Sequence, residues 1–106
     1  MNTIVHRIRL RHGVDPGLFE SWVRSVDYAA CPRLPSIVSF GVHRVAAAPD
    51  APVHFFEVIG ITSHEAFRRD MATEEFGQLA SDFAAMATVV DELSGELVEP
   101  GYQVAN

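Results

Sequence analysis

Three side chains bring proton-transfer chemistry into otherwise apolar stretches: His6 in the run TIVHRIRLR, and His54 and Glu57 in HFFEVIGI. Imidazole titrates near neutrality, so two histidines at the wall of an apolar cavity could move protons on a bound molecule with no bound cofactor. The plainer alternative makes each a part-buried strand histidine with one backbone hydrogen bond. A carboxylate flanked as Glu57 is must be paired or hold its proton. It reads either as a general base or as the partner of Arg7 or Arg9 in an ion pair across a subunit seam. Trp22, Tyr28 and Phe56 are the aromatic side chains expected to wall such a cavity, with ordinary core packing as the alternative for each.

Other chemistries find less support. Cys31 is the only cysteine, which excludes an internal disulfide and any multi-cysteine zinc site. Next to Pro32 it reads as a small buried hydrophobe rather than a nucleophile. His12, His43 and His64 lack metal-ligand spacing, so no metal site is expected. The sequence holds no glycine-rich phosphate loop, nucleophile elbow or dinucleotide fingerprint, and no cofactor is expected. Eight arginines, no lysine and fourteen acids give a net charge of −6, with no basic block to follow a nucleic-acid backbone. His6, Arg7 and Arg9 interrupt the N-terminal apolar residues, and no apolar run approaches the length of a membrane span. Neither targeting nor membrane attachment is expected, which leaves the cytoplasm as the default location.

The elements that must position these residues follow from periodicity. At 106 residues the chain suits a single domain, residues 1–106. Thr3 to Arg11 alternates like a strand with two different faces, and Gly13 ends it. Asp15-Pro16 supplies a helix cap and a first-turn proline. Leu18, Phe19, Trp22, Val23, Val26, Ala29 and Ala30 then form one apolar stripe, until Pro32 and Pro35 stop it. Ser36–Ala46 and Val53–Ile61 read as two strands joined through Ala48–Pro52. Thr62 and Glu65 form a capping box, and helical spacing runs from Phe67 to Val90 with a break near Thr73. The last strand has two options: Glu96 to Val104 after a cap at Gly95, or an extended Thr88 to Leu93.

Strand, helix, strand, strand, helix, strand is the α+β ferredoxin-like βαββαβ order, an antiparallel sheet with both helices on one face. Placing charge where it is tolerable assigns Ile4, His6, Ile8 and Leu10 to the covered face, with His54, Phe56, Val58 and Gly60 beside them. An open face carrying Val5, Val38, Phe40, Val42, Phe55, Ile59 and Ile61 would be a large exposed apolar patch. A homodimer with sheets facing is the expected cover.

Three stretches carry a family resemblance: VDYAACPRLPSIVSFGVHRV, HFFEVIGITSHEAFRRDMATEEF and FAAMATVVDELSG. They resemble the RedY-like proteins of prodiginine pigment biosynthesis, over nearly the whole chain. The resemblance implies the dimeric α/β-barrel fold and a small aromatic, bipyrrole-type ligand. It leaves open cyclisation, condensation or oxidation by a cofactor-free enzyme, a cofactor-independent monooxygenase, or a non-catalytic carrier of a labile intermediate or docking protein for a pathway enzyme. A more distant similarity is to stress-responsive α/β-barrel proteins, among them a plant cyclase that makes olivetolic acid. Their strand-one and strand-three histidines match His6 and His54. Where that cyclase has His-Pro-x-His this chain has Ala72-Thr73-Glu74-Glu75, so the resemblance offers Glu75 as a carboxylate substitute for the last histidine. Glu74 and Glu75 are also the acids a helix dipole favours in a first turn.

Overall fold

The computed structural model describes residues 2–105. Strands β1 (Asn2–Leu10), β2 (Ile37–Arg44), β3 (Phe55–Ile61) and β4 (Ala87–Glu96) form one antiparallel sheet in the order β2-β3-β1-β4. The helical connections lie on one face, which is the expected ferredoxin-like α+β arrangement.

Gly13, at φ 83°, turns the chain out of β1. The Asp15 carboxylate then accepts the Gly17 N–H at 2.9 Å, and Pro16 opens α1 (Pro16–Trp22). Helical winding continues through a π turn (Val23–Asp27), α2 (Tyr28–Ala30) and a 3-10 turn (Cys31–Arg33). The wider π turn absorbs one extra residue. Asp27, five positions after Trp22, thereby joins it on the inner wall, while Val26, expected in the apolar stripe, stays 38% exposed. Ser63, not Thr62, caps α3 (His64–Met71), its hydroxyl accepting the Ala66 N–H at 3.0 Å. Glu65 pairs with Arg69 instead of closing a capping box. Thr73 caps α4 (Glu74–Met86), as its position predicts. The last strand takes the earlier option: β4 starts at Ala87 and contains Gly95, and 97–105 forms no regular element.

The strand register corrects the expected faces. Ile4 lies opposite Ile59, His6 opposite Glu57 and Ile8 opposite Phe55. The covered face therefore holds Phe55, Glu57, Ile59 and Ile61, and the His54, Phe56, Val58, Gly60 phase does not share it. FFEVIGI is apolar in both phases, so alternation alone does not set which phase faces inward. Register shifts at Val38 in β2 and next to Val90 in β4 reverse the parity within those strands. Ile37, Phe40 and Val42 consequently share the covered face, as do Ala87, Val89, Glu92 and Ser94. Of the apolar residues expected on the open face, Phe40, Val42, Phe55, Ile59 and Ile61 lie under the helices. Val5 keeps its open-face place, beside Val58 and Leu93. Arg7 there pairs with Asp91 at 2.8 Å rather than with Glu57.

Two apolar clusters fill the space beneath the helices. One joins Ile8, Leu10, Phe19, Val23, Phe55 and Ala87, and the other joins Ile4, Ile59, Ile61 and Phe67. The row His6–Glu57–Glu92 crosses the sheet between them.

Asp70 anchors the second cluster's edge. It is 7% exposed, and its carboxylate accepts the Ser36 N–H at 2.8 Å and the Ser36 hydroxyl. Asp70→Ala would orphan both donors at a site 1% exposed. A loss of about 2 to 4 kcal/mol in urea denaturation is expected, whereas a loss below about 1 kcal/mol would show that the two donors find other partners.

Candidate functional site

A cavity of about 450 Å³ lies between the two clusters, within the size range of small-molecule sites. Ile4, His6, Glu57 and Ile59 form its sheet-side floor, and Trp22, Phe40, Phe67, Phe76 and Phe83 wall it. The Trp22 indole N–H donates to Asp82 at 3.3 Å, which leaves the ring itself to line the space.

Polar groups converge on the floor. The His6 ring sits between two carboxylates, with Nδ1 2.7 Å from Glu57 Oε2 and Nε2 2.7 Å from Glu92 Oε1. Both partners are acceptors, so the favoured state of the ring is the imidazolium, donating from each nitrogen. The hydrogen bond to Glu57 raises the His6 pKa most, against burial, which lowers it; Glu92 adds to the rise. Protonated His6 therefore stabilises the fold below its ordinary value of 6.5, and this contribution is lost as pH rises through the raised folded value.

Asp27 reaches the same cavity from the π turn. Burial, and secondarily the Glu57 charge, push its carboxyl up to about 7. Among the described residues it accepts no side-chain hydrogen bond that would hold it ionised. A carboxyl balanced between its two states near neutral pH suits both uptake and return of a proton. Cys31 donates to the Asp27 backbone carbonyl at 3.6 Å, and burial pushes its thiol pKa up, which agrees with its reading as a small hydrophobe.

The structure brings His6, Glu57 and Trp22 together and leaves the other expected site residues elsewhere. His54 precedes β3 outside the cavity. Its Nδ1 accepts the Leu10 N–H at 3.0 Å and its Nε2 lies 2.9 Å from the Pro49 carbonyl, the backbone-bonded alternative. Antiparallel pairing separates it from His6, because Glu57 occupies the position opposite. Glu75 points outward and pairs with Arg33. Phe56 stacks on His43 on the open face, with centroids 4.7 Å apart. Tyr28 accepts the Val42 N–H at 3.0 Å and borders a separate small depression.

Sequence reasoning missed Asp27, Glu92 and Phe40. Asp27 falls off the stripe of a regular helix, and Glu92 becomes visible only if Thr88 to Leu93 is read as extended. Among the described residues no group of three or more His, Cys, Asp and Glu is arranged to hold a metal ion.

The clamp on His6 makes a titration prediction. By NMR, the His6 midpoint should lie above 6.5 and fall further in Glu57→Gln than in Glu92→Gln. Equal responses would mean that the two carboxylates act alike.

Fold and site together define a ferredoxin-like α+β protein with an acid/base cluster on the floor of an aromatic cavity. The chain belongs to the REDY-like HapK family, whose model matches residues 2–98. It is 48% identical to HapK from Hahella chejuensis, covering 99% of this chain and 100% of that one, with a TM-score of 0.92. SnoaB, a cofactor-independent oxygenase from Streptomyces nogalater, is 28% identical over 94% of this chain and 97% of its own, with a TM-score of 0.72. At3g17210 from Arabidopsis thaliana shares the fold, with a TM-score of 0.72 at 13% identity over 95% of this chain and 98% of its own. No curated protein matches the chain. The family match and the likeness to SnoaB support a biosynthetic role, accessory or oxygenase-like. No helix among the described residues is long and apolar enough to cross a membrane.

Proposed function

We propose that this protein binds a small, flat aromatic intermediate of the bipyrrole type in its cavity and assists its cyclisation, condensation or oxidation by proton transfer, without a bound cofactor. The observation that carries this reading is the Asp27 carboxyl, beside the His6–Glu57–Glu92 row in a cavity with aromatic walls. The aromatic walls suit the faces of planar rings. Carboxylates at the floor suit an edge that presents N–H donors, as linked pyrroles do. Ionised Asp27 takes a proton from the ligand and leaves the electron pair on the ring system. The electron pair forms a bond to a carbonyl carbon and the proton returns to the carbonyl oxygen, a redox-neutral cyclisation; in a condensation the hydroxyl so formed then leaves as water.

Similarity to SnoaB favours oxidation as a second reading. In this second reading the ligand is bound as a pyrroline tautomer with a ring CH₂; the electron pair left by its deprotonation passes to dioxygen, the CH₂ becomes C=O, and the second oxygen atom leaves as water.

The test is mass-spectrometric turnover of bipyrrole-pathway intermediates by purified protein without added cofactor, with oxygen uptake followed in parallel. Conversion without oxygen uptake supports the first chemistry, and stoichiometric uptake supports the second. Absence of conversion, with intermediates that neighbouring pathway enzymes accept, overturns both and leaves a carrier or docking protein.

The same reading includes a homodimer in which a second copy covers the open face around Val5, Val58 and Leu93. Sedimentation should give a dimer for the native chain and a monomer for Val58→Arg. A native monomer would remove the dimer from the reading.

A further inference from the structure

The cavity has a second polar feature that proton transfer does not use. Arg68 of α3 lines it and is exposed at its rim. Arg7, Arg24, Arg33, Arg44 and Arg69 each hold a carboxylate. Arg68 has no such partner and no side-chain hydrogen bond among the described residues. One helical turn back on the same face, His64 also lines the cavity, its Nε2 3.2 Å from Ser94 Oγ. Ser94 lies two residues beyond Glu92 on β4, opposite Ile4, where Glu92 lies opposite His6. The two polar groups are thus displaced by one strand repeat, about 7 Å.

The cavity is therefore electrically lopsided. Asp27, Glu57 and Glu92 crowd one region, with only His6 to offset them. Arg68 stands at the rim with its guanidinium free, one turn from the His64–Ser94 pair, whose mutual hydrogen bond leaves one donor over, the Ser94 hydroxyl or the second His64 ring nitrogen. An anionic group on a ligand is repelled from the first region and attracted to the second. Guanidinium geometry further favours a planar oxyanion bound by two parallel hydrogen bonds.

The geometry points to Arg68, His64 and Ser94 as a recognition site for a carboxylate on the aromatic ligand, the end opposite the edge that meets Asp27 and Glu57. This rests on the cavity being the ligand site. It adds both a substrate class, aromatic carboxylates rather than neutral rings, and an orientation. Arg68 and its neighbours act here as binding residues, and the proton chemistry stays with the floor.

The experiment is calorimetric titration of the full chain with 2,2′-bipyrrole-5-carboxylate and with its uncharged 5-carboxamide, matched in shape. The native protein should prefer the carboxylate by about tenfold or more in Kd, the value of one charge-assisted contact. Arg68→Met keeps the aliphatic stem and should abolish that preference, weakening the carboxylate about tenfold more than the carboxamide. Arg68→Lys should restore part of it, because the charge returns without the fork. Equal binding of the two probes by native protein, or a preference that survives Arg68→Met, overturns the recognition site alone. Failure of both probes to bind native protein overturns the cavity as a bipyrrole site and this inference with it.

Discussion

Asp27→Asn is expected to lower turnover at pH 7 by about a hundredfold to ten-thousandfold, the range associated with a lost general acid–base group, while making the protein more stable. The first half follows from geometry: the carboxyl faces the cavity and has no structural partner there. Asparagine keeps nearly the same shape and takes no proton, so ligand affinity should change little and the loss should fall on kcat. The second half follows from linkage. The folded Asp27 carboxyl is raised to about 7 from an ordinary value of 3.8, so the native state binds its proton more tightly than the unfolded chain does. That favours the fold fully below the ordinary value, and the advantage is lost as pH rises towards 7. At pH 8 the native state therefore holds a carboxylate it would rather protonate, and the neutral amide introduced by Asp27→Asn removes that cost.

The gain should be on the order of 2 kcal/mol, below the full linkage value because the group keeps some solvent contact. Calorimetric scans of both proteins at pH 8 and pH 4 should show a Tm rise of roughly 10 °C at the higher pH and little at the lower. Reduced activity with a pH-independent Tm difference would assign Asp27 a structural role in the π turn. Unchanged activity would remove it from the chemistry. A stabilising substitution at a residue that matters for turnover is the usual signature of a group held in an unfavourable environment for function.

The element order was legible because β1, the capped first helix and the break at Thr73 each carry a local signal: two-residue alternation, Asp15-Pro16, and a hydroxyl before Glu74 and Glu75. The site was legible only in part. His6 and Glu57 both stood out as polar groups inside apolar strands, yet alternation placed them on opposite faces. The pairing of His6 with Glu57 depends on which phase of FFEVIGI turns inward, and both phases are apolar. His54 looked equivalent to His6 because both stand near the start of a strand. In an antiparallel pair, however, such positions lie at opposite ends unless the strands are offset, and here they are not. The register shifts at Val38 and Val90 and the π turn at Val23–Asp27 share one cause of illegibility. Each inserts a single residue that resets the phase of everything after it, and no residue type in those stretches marks the insertion. Glu92 and Asp27 reached the cavity through just such resets.

The second large effect is expected at Phe19, which ties the helix carrying Asp27 to the sheet. Its ring is 1% exposed and packs against Phe55 at 4.8 Å, Phe83 at 6.1 Å and Trp22 at 6.2 Å between centroids. Phe19→Ala removes those contacts and leaves a void that neighbours fill only partly, a loss of about 3 to 5 kcal/mol. That is a large fraction of the roughly 5 to 15 kcal/mol on which a domain of this kind stands. Leu18→Ala, one position along the same helix but 60% exposed, should change stability by no more than about 0.5 kcal/mol. Urea denaturation of the two variants separates burial from helix propensity, since each trades one residue for alanine in the same turn. Trp22 and Phe83 also wall the cavity, so relaxation into the void left by Phe19 should weaken ligand binding even at temperatures where the variant remains folded. A Phe19→Ala protein that loses less than about 1.5 kcal/mol, or that binds ligand as the native chain does, would show that the cavity wall is held from elsewhere and that this aromatic cluster does not set its shape.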